Sequence, residues 1–130
     1  MEKQDYFKIL ACLSVFFIFF FIPVCVFRSM EMKVENMQTK ENLNQLKMWA
    51  EVYRIKNRGY EGMENNYEVS TIVKTLNYMG KDCELILAHD SFCAKAKKTD
   101  EKTKMWCVDN TGYSGPEINN CDYDKEIRCK

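Results

Sequence analysis

The sequence predicts an α+β protein in which one long N-terminal helix, half transmembrane and half amphipathic, packs on a small antiparallel β-sheet head. Residues 9–27 carry no charged side chain, and residues 29–58 contain neither proline nor glycine. After residue 80 short strand-like runs replace the helical pattern, and late cysteines accompany them. The predicted divisions are an N-terminus at 1–8, a transmembrane segment at 9–28, a helical continuation at 29–58 and a disulfide-stapled head at 59–130.

The composition argues against several functional classes. The chain has 130 residues, with 19 basic and 19 acidic side chains and a formal net charge of zero. Without a basic surplus, nothing favours binding to nucleic acid or to an anionic membrane surface. The sequence also contains no nucleophile motif, phosphate-binding glycine loop or HExxH. It therefore predicts a protein that is not an enzyme and that has no cofactor and no small-molecule substrate.

The uncharged run at 9–27 predicts a membrane-spanning helix. At about 1.5 Å rise per residue, a helix of this length crosses the ~30 Å hydrocarbon core of a bilayer. A cleaved secretory signal and a buried core helix are the alternatives, although the end of the run offers no small-x-small cleavage site. Pro23 lies inside the run and is predicted to kink the helix.

The helix is predicted to continue through residues 29–58 as an amphipathic segment. Leu43, Leu46, Trp49 and Tyr53 recur at spacings of three and four, which places them on one helix face for packing. Gly59 is predicted to end the helix as a left-handed cap.

The head is predicted to contain a second helix and three strands. The periodicity of residues 69–79 indicates a helix that ends at Gly80. The strands are predicted at 83–88, 91–99 and 103–109, followed by turns at 110–112 and 114–116. If the second hairpin is centred on Asp100, Cys93 and Cys107 lie opposite each other, within reach of a disulfide.

The late cysteines predict disulfide bonds. No Cys-x-x-Cys pair is present and the chain has one histidine, so the pattern does not favour zinc. Disulfides form in oxidising compartments, which places the head outside the cytosol and the N-terminus inside it. The pairing stays open, Cys121 with Cys129 being one option, and the odd number leaves one thiol free or paired between chains. The candidates are Cys83, Cys93, Cys107, Cys121 and Cys129.

Two binding hypotheses come from side-chain type alone. Asp122, Asp124 and Glu126 offer carboxylate oxygens suited to Ca²⁺, but they lack EF-hand spacing and are equally typical of a solvated loop. The aromatic residues Trp49, Tyr53 and Trp106 suit a ligand site and also suit a hydrophobic core.

Two stretches resemble type IV pilins and pseudopilins. Residues 42–53 with Asn57-Arg58-Gly59-Tyr60 resemble the end of the family's long helix, and residues 105–115 (MWCVDNTGYSG) are similar to the Trp-Cys-Val-Asp strand and turn of some pilin-like proteins. The resemblance implies a membrane-anchored structural subunit that assembles with other pilin-like subunits through its N-terminal helix into a pilus (fimbrium) or the pseudopilus of a secretion system.

The same resemblance places Phe7 as the first residue of the processed chain. Tyr6 and Ala11 then stand where the family has the glycine and the glutamate of its peptidase site. Two other functions therefore remain open. One is a single-pass membrane protein whose disulfide-rich head binds a partner without polymerising. The other is a secreted module released by signal cleavage.

Overall fold

The computed structural model describes residues 3–99, 104–117, 121 and 127–129, with side chains from residue 13 onward except 19 and 20. Two compact units divide the chain, Met1–Val34 and Glu35–Lys130; we call the second the C-terminal unit. The elements are α1 (Lys3–Asn57), a short 3-10 helix (Met63–Asn65), α2 (Tyr67–Tyr78), β1 (Glu84–Leu87), β2 (Phe92–Lys97), β3 (Met105–Asp109) and β4 (Ser114–Pro116). The α+β class predicted from the sequence is confirmed.

The amphipathic part of α1 provides one wall of the main core. Leu43, Leu46 and Ala50 are at most 1 % exposed, and Trp49 and Tyr53 pack partly buried against them. The core is completed by α2 and by one face of the sheet, through Val69, Leu76, Phe92, Ala94 and Val108 among others. The packing stripe predicted at 43–53 therefore lies where its periodicity placed it.

Truncating this stripe should destabilise the C-terminal unit. Leu46→Ala is expected to lower its free energy of unfolding by about 2–5 kcal/mol, because it removes buried methyl groups and leaves a cavity. Met48→Ala is the control two residues away, where the side chain is 54 % exposed. The control should change stability by less than about 0.5 kcal/mol. Urea unfolding of the detergent-solubilised chain, followed by tryptophan fluorescence, measures both, and equal effects would contradict the packing described.

The end of α1 differs from the prediction by one residue. Arg58, not Gly59, adopts the left-handed conformation, with φ of 62°, and its N–H donates to the Arg54 carbonyl at 2.8 Å. Gly59 serves a different purpose, since a Cβ there would lie 3.0 Å from the carbonyl oxygen of His89. The glycine therefore allows the chain after α1 to pass close to the turn between β1 and β2.

The sheet is antiparallel throughout, in the order β1-β2-β3-β4. The prediction missed β4, reading residues 114–116 as a turn, because Ser-Gly-Pro has low strand propensity. The partner strand decides its conformation: Cys107 pairs with Gly115 and Trp106 with Pro116.

The register of β2 on β3 is shifted from the predicted one. Cys93 lies opposite Asp109, and Cys107 lies opposite Lys95. The shift is two residues along β3, so every side chain keeps the face that the prediction gave it. As a result, Phe92 and Ala94 face the helices, whereas Cys93 and Cys107 face the other side of the sheet, where a second core forms.

Candidate functional site

The first candidate site is the uncharged run of α1 at residues 9–27, which we call the apolar segment. Its described large apolar side chains between Leu13 and Phe27 are 50–67 % exposed. The rings of Phe17 and Phe21 stack with centroids 4.4 Å apart. This helix is long and apolar enough to cross a membrane. Its exposure excludes the core-helix alternative within the described structure, and the segment offers a surface suited to lipid or to another helix.

Two predicted packing residues lie in the same helix. Pro23 is inside α1, which stays helical on both sides of it. Phe7 belongs to α1, but its side chain is outside the described part of the structure. Their predicted role in assembly stays a prediction.

The second candidate site is a buried group of four cysteines behind the sheet, which we call the cysteine cluster. Cys93 on β2 and Cys107 on β3 meet Cys121 and Cys129 from the chain after β4, which we call the C-terminal segment (residues 117–129). The disulfides join Cys93 to Cys121 and Cys107 to Cys129. All four residues are at most 6 % exposed. Each disulfide therefore ties a cysteine after β4 to a different strand, and the two pairings suggested from the sequence, Cys93 with Cys107 and Cys121 with Cys129, are wrong.

Asp109 connects β3, its following turn and the cysteine cluster. Its carboxylate is 1 % exposed. Oδ1 accepts hydrogen bonds from the backbone N–H and hydroxyl of Thr111, at 2.9 and 2.6 Å, and from the Tyr113 N–H at 3.3 Å. Oδ2 accepts from the Cys129 N–H at 2.9 Å. This aspartate lies in the stretch 105–115, but the sequence analysis assigned it no role.

An ion pair holds Glu117, at the start of the C-terminal segment, to Lys95 on β2. The Lys95 ammonium lies 3.1 Å from a Glu84 oxygen and 3.7 Å from a Glu117 oxygen. The side chains of Lys95 and Glu117 are 13 % and 11 % exposed, so water screens their attraction only partly. Glu117 also accepts from the Cys121 N–H at 3.4 Å. Glu117, which directly follows β4, is thus held to β2 by one ion pair and contacts the backbone of a disulfide-bonded cysteine.

Cys83 stands apart from the cluster. It is a free, buried cysteine, and burial raises the pKa of its thiol to about 12. A thiol with this pKa stays protonated near neutral pH and is a poor nucleophile. Cys25 is free and exposed in the apolar segment. Cys83 was one of the five predicted disulfide candidates, and the structure leaves it as the unpaired one.

Polar contacts hold α1 to two residues next to the sheet: Lys81, which precedes β1, and Thr99, which follows β2. The Lys81 side chain is 5 % exposed, and its ammonium donates to Glu35 Oε2 at 3.0 Å and to the Thr99 hydroxyl. The same hydroxyl donates to Glu35 at 2.9 Å, and the Thr99 N–H donates to Asn36 Oδ1 at 2.9 Å. Helix α1 is thereby fixed at residues 35 and 36 by partners far along the chain.

This contact should make stability depend on acid pH. The hydrogen bond from Lys81 lowers the pKa of Glu35 from its ordinary value of 4.5. Stability from a carboxylate with a lowered folded pKa is present above its unfolded pKa and is lost as pH falls through the folded value. We expect Glu35→Gln to flatten the fall in stability below about pH 4.5.

Thermal unfolding between pH 3 and 7 measures this effect. Glu64→Gln, at an exposed carboxylate in the same unit, is the control and should keep the wild-type acid slope. An unchanged acid slope in Glu35→Gln would contradict the role given to this pair.

The predicted aromatic residues belong to the packing of the C-terminal unit. Trp49, Tyr53 and Trp106 all pack partly buried against the main core. The Tyr53 hydroxyl donates to the Glu61 carbonyl at 2.9 Å. The ammonium nitrogens of Lys40 and Lys98 lie 5.6 and 4.8 Å from the centre of a Trp106 ring. These contacts favour the core interpretation over a ligand site.

Asp122, Asp124 and Glu126, the calcium candidates, lie outside the described residues.

Comparison with known proteins found no matching family model, no matching curated protein and no matching solved structure.

Proposed function

We propose that the protein is a membrane-anchored, non-catalytic structural subunit of the type IV pilin or pseudopilin kind. The observation that carries this proposal is one helix, α1, with an exposed apolar segment before Arg28 and a buried packing stripe at 43–50. So much exposed apolar surface is unfavourable in water, so the segment requires lipid or other helices around it. The N-terminus lies in the cytosol and the C-terminal unit lies outside it.

The cysteine cluster supports the location. Two disulfides are compatible with an oxidising compartment and uncommon in the cytosol. The resemblance at 105–115 falls on β3, its turn and β4, where Asp109 organises the backbone. Assembly would proceed by van der Waals packing of apolar helices, because hydrophobic transfer gives no driving force between helices already in lipid.

A second candidate is a single-pass protein whose C-terminal unit binds a partner without polymerising. The observation favouring it is the presence of Tyr6 and Ala11 where pilins have the glycine and glutamate needed for processing and docking. Both candidates require the anchor; they differ in whether copies of the apolar segment contact one another.

Photo-crosslinking in native cells distinguishes the two candidates. A photoreactive amino acid replaces Phe17 in one variant and Tyr78, which is 94 % exposed in α2, in another. A pilin-like subunit should give a ladder of homo-oligomers from position 17, and the same ladder should appear in sheared surface filaments. Position 78 reports contacts of the C-terminal unit alone. No homo-oligomer from position 17, with a crosslink to a different protein from position 78, would favour the second candidate.

A further inference from the structure

The four sulfur atoms of the cysteine cluster are close enough to surround one metal ion. All four Sγ atoms lie within 4.8 Å of one another. Between sulfur atoms of different disulfides, Cys93 Sγ lies 3.1 Å from Cys107 Sγ and 3.7 Å from Cys129 Sγ, and Cys107 Sγ lies 3.4 Å from Cys121 Sγ. A tetrahedral zinc site with Zn–S bonds of about 2.3 Å places its sulfur atoms about 3.8 Å apart. The cluster already approaches this spacing between its disulfides.

We propose that, when its two disulfides are reduced, the cysteine cluster binds one Zn²⁺ ion as a buried four-thiolate site. Reduction by a phosphine breaks each S–S bond, yielding two thiols and a phosphine oxide whose oxygen comes from water. Binding then releases four protons as four Zn–S bonds form, and the site carries two negative charges. The bonded sulfur pairs separate by less than 2 Å to reach zinc spacing.

The surroundings of the cluster favour such a site. Asp109 holds the Cys129 backbone, which fixes one ligand in place. Lys95 lies two residues after Cys93 on β2 and opposite Cys107 on β3, so all three side chains leave the same sheet face. Its side chain is 13 % exposed, and its ammonium, which also pairs with Glu84 and Glu117, places a positive charge on the sheet face that carries these two cysteines. Cys83 is part of the main core and not of the cysteine cluster, so it supplies no ligand.

No local motif pointed to this site, because its ligands are not paired within a short stretch of the chain. Zinc sites are commonly recognised by short Cys-x-x-Cys spacings. Here two ligands come from neighbouring strands and two from the C-terminal segment. The cluster would then have two exclusive states, disulfide-bonded under oxidising conditions and metal-bound under reducing ones. This inference concerns the cluster alone and does not depend on the proposed assembly.

Cobalt titration tests the site. The full chain in detergent is reduced with a phosphine, freed of reductant and kept under argon, and Co²⁺ is added. We expect the d–d absorption of a tetrahedral four-thiolate cobalt site, saturating at one ion per chain and removed by one equivalent of Zn²⁺. Cys83→Ser should keep this signal, and Cys107→Ser should lose the four-sulfur spectrum.

A second measurement on the wild-type chain guards against misfolding of the variants. The zinc-loaded chain is oxidised with a disulfide-forming diazene, which accepts the electrons of the thiolates, and released zinc is counted with a chelating dye. One zinc released per chain as two disulfides form supports the proposal. Saturation other than one cobalt per chain, an octahedral spectrum, or loss of the signal in Cys83→Ser would overturn it.

Discussion

Replacing Phe17 and Phe21 together with arginine is expected to remove the protein from the membrane. The two rings stack on one helix face near the middle of the apolar segment. Each arginine at the centre of a membrane helix costs about 3 kcal/mol on the translocon insertion scale. Two arginines therefore disfavour insertion by about 6 kcal/mol, roughly 10⁴-fold in the insertion equilibrium. Alkaline carbonate extraction of isolated membranes measures the fraction of protein that stays inserted.

The matched control replaces the same two residues with leucine. Leucine is as favourable in lipid as phenylalanine, so this variant should stay in the carbonate-resistant pellet. If the arginine variant also stays there, the apolar segment is not what holds the protein in the membrane. If the wild type itself is extracted, the segment is not inserted in the membrane. If its intact mass lacks the segment, the protein is a secreted one.

Much of α1 was predictable because its signals are local. The uncharged run at 9–27, the absence of proline and glycine from 29–58, and the spacing of Leu43 and Leu46 each need only neighbouring residues. The structure has α1 over the same stretch, ending at Asn57, with both leucines buried. Helix α2 followed in the same way, and its start is fixed by Asn66, whose side chain accepts from the N–H groups of Glu68 and Val69.

The contacts behind the sheet were not predictable, because they join residues distant in the chain. Strand alternation placed Cys93 and Cys107 on one face, but the register depends on the loop between β2 and β3. Which of them meets Cys121 depends on the path of the C-terminal segment, which carries no periodicity. The clustering of four sulfur atoms is thus a property of the fold and not of a motif.

Removing one complete disulfide by Cys93→Ala with Cys121→Ala is expected to destabilise the C-terminal unit by about 3–4 kcal/mol. The bond spans a sequence separation of 28 residues, and opening it restores loop entropy to the unfolded chain. The Cys107–Cys129 bond spans 22 residues, so its loss should cost nearly the same, within a few tenths of a kcal/mol. Urea unfolding without reductant measures both double variants.

Cys25→Ala is the control, because this cysteine is free and lies in the apolar segment. It should leave the unfolding of the C-terminal unit unchanged. A loss below about 1 kcal/mol for either double variant would mean that other contacts hold the C-terminal segment. The Asp109 bond to Cys129 and the Lys95–Glu117 pair would then be the candidates, and Lys95→Met should loosen the segment further in that background. A large loss that Lys95→Met does not deepen would instead identify the disulfides as the main fastening of the segment to the sheet.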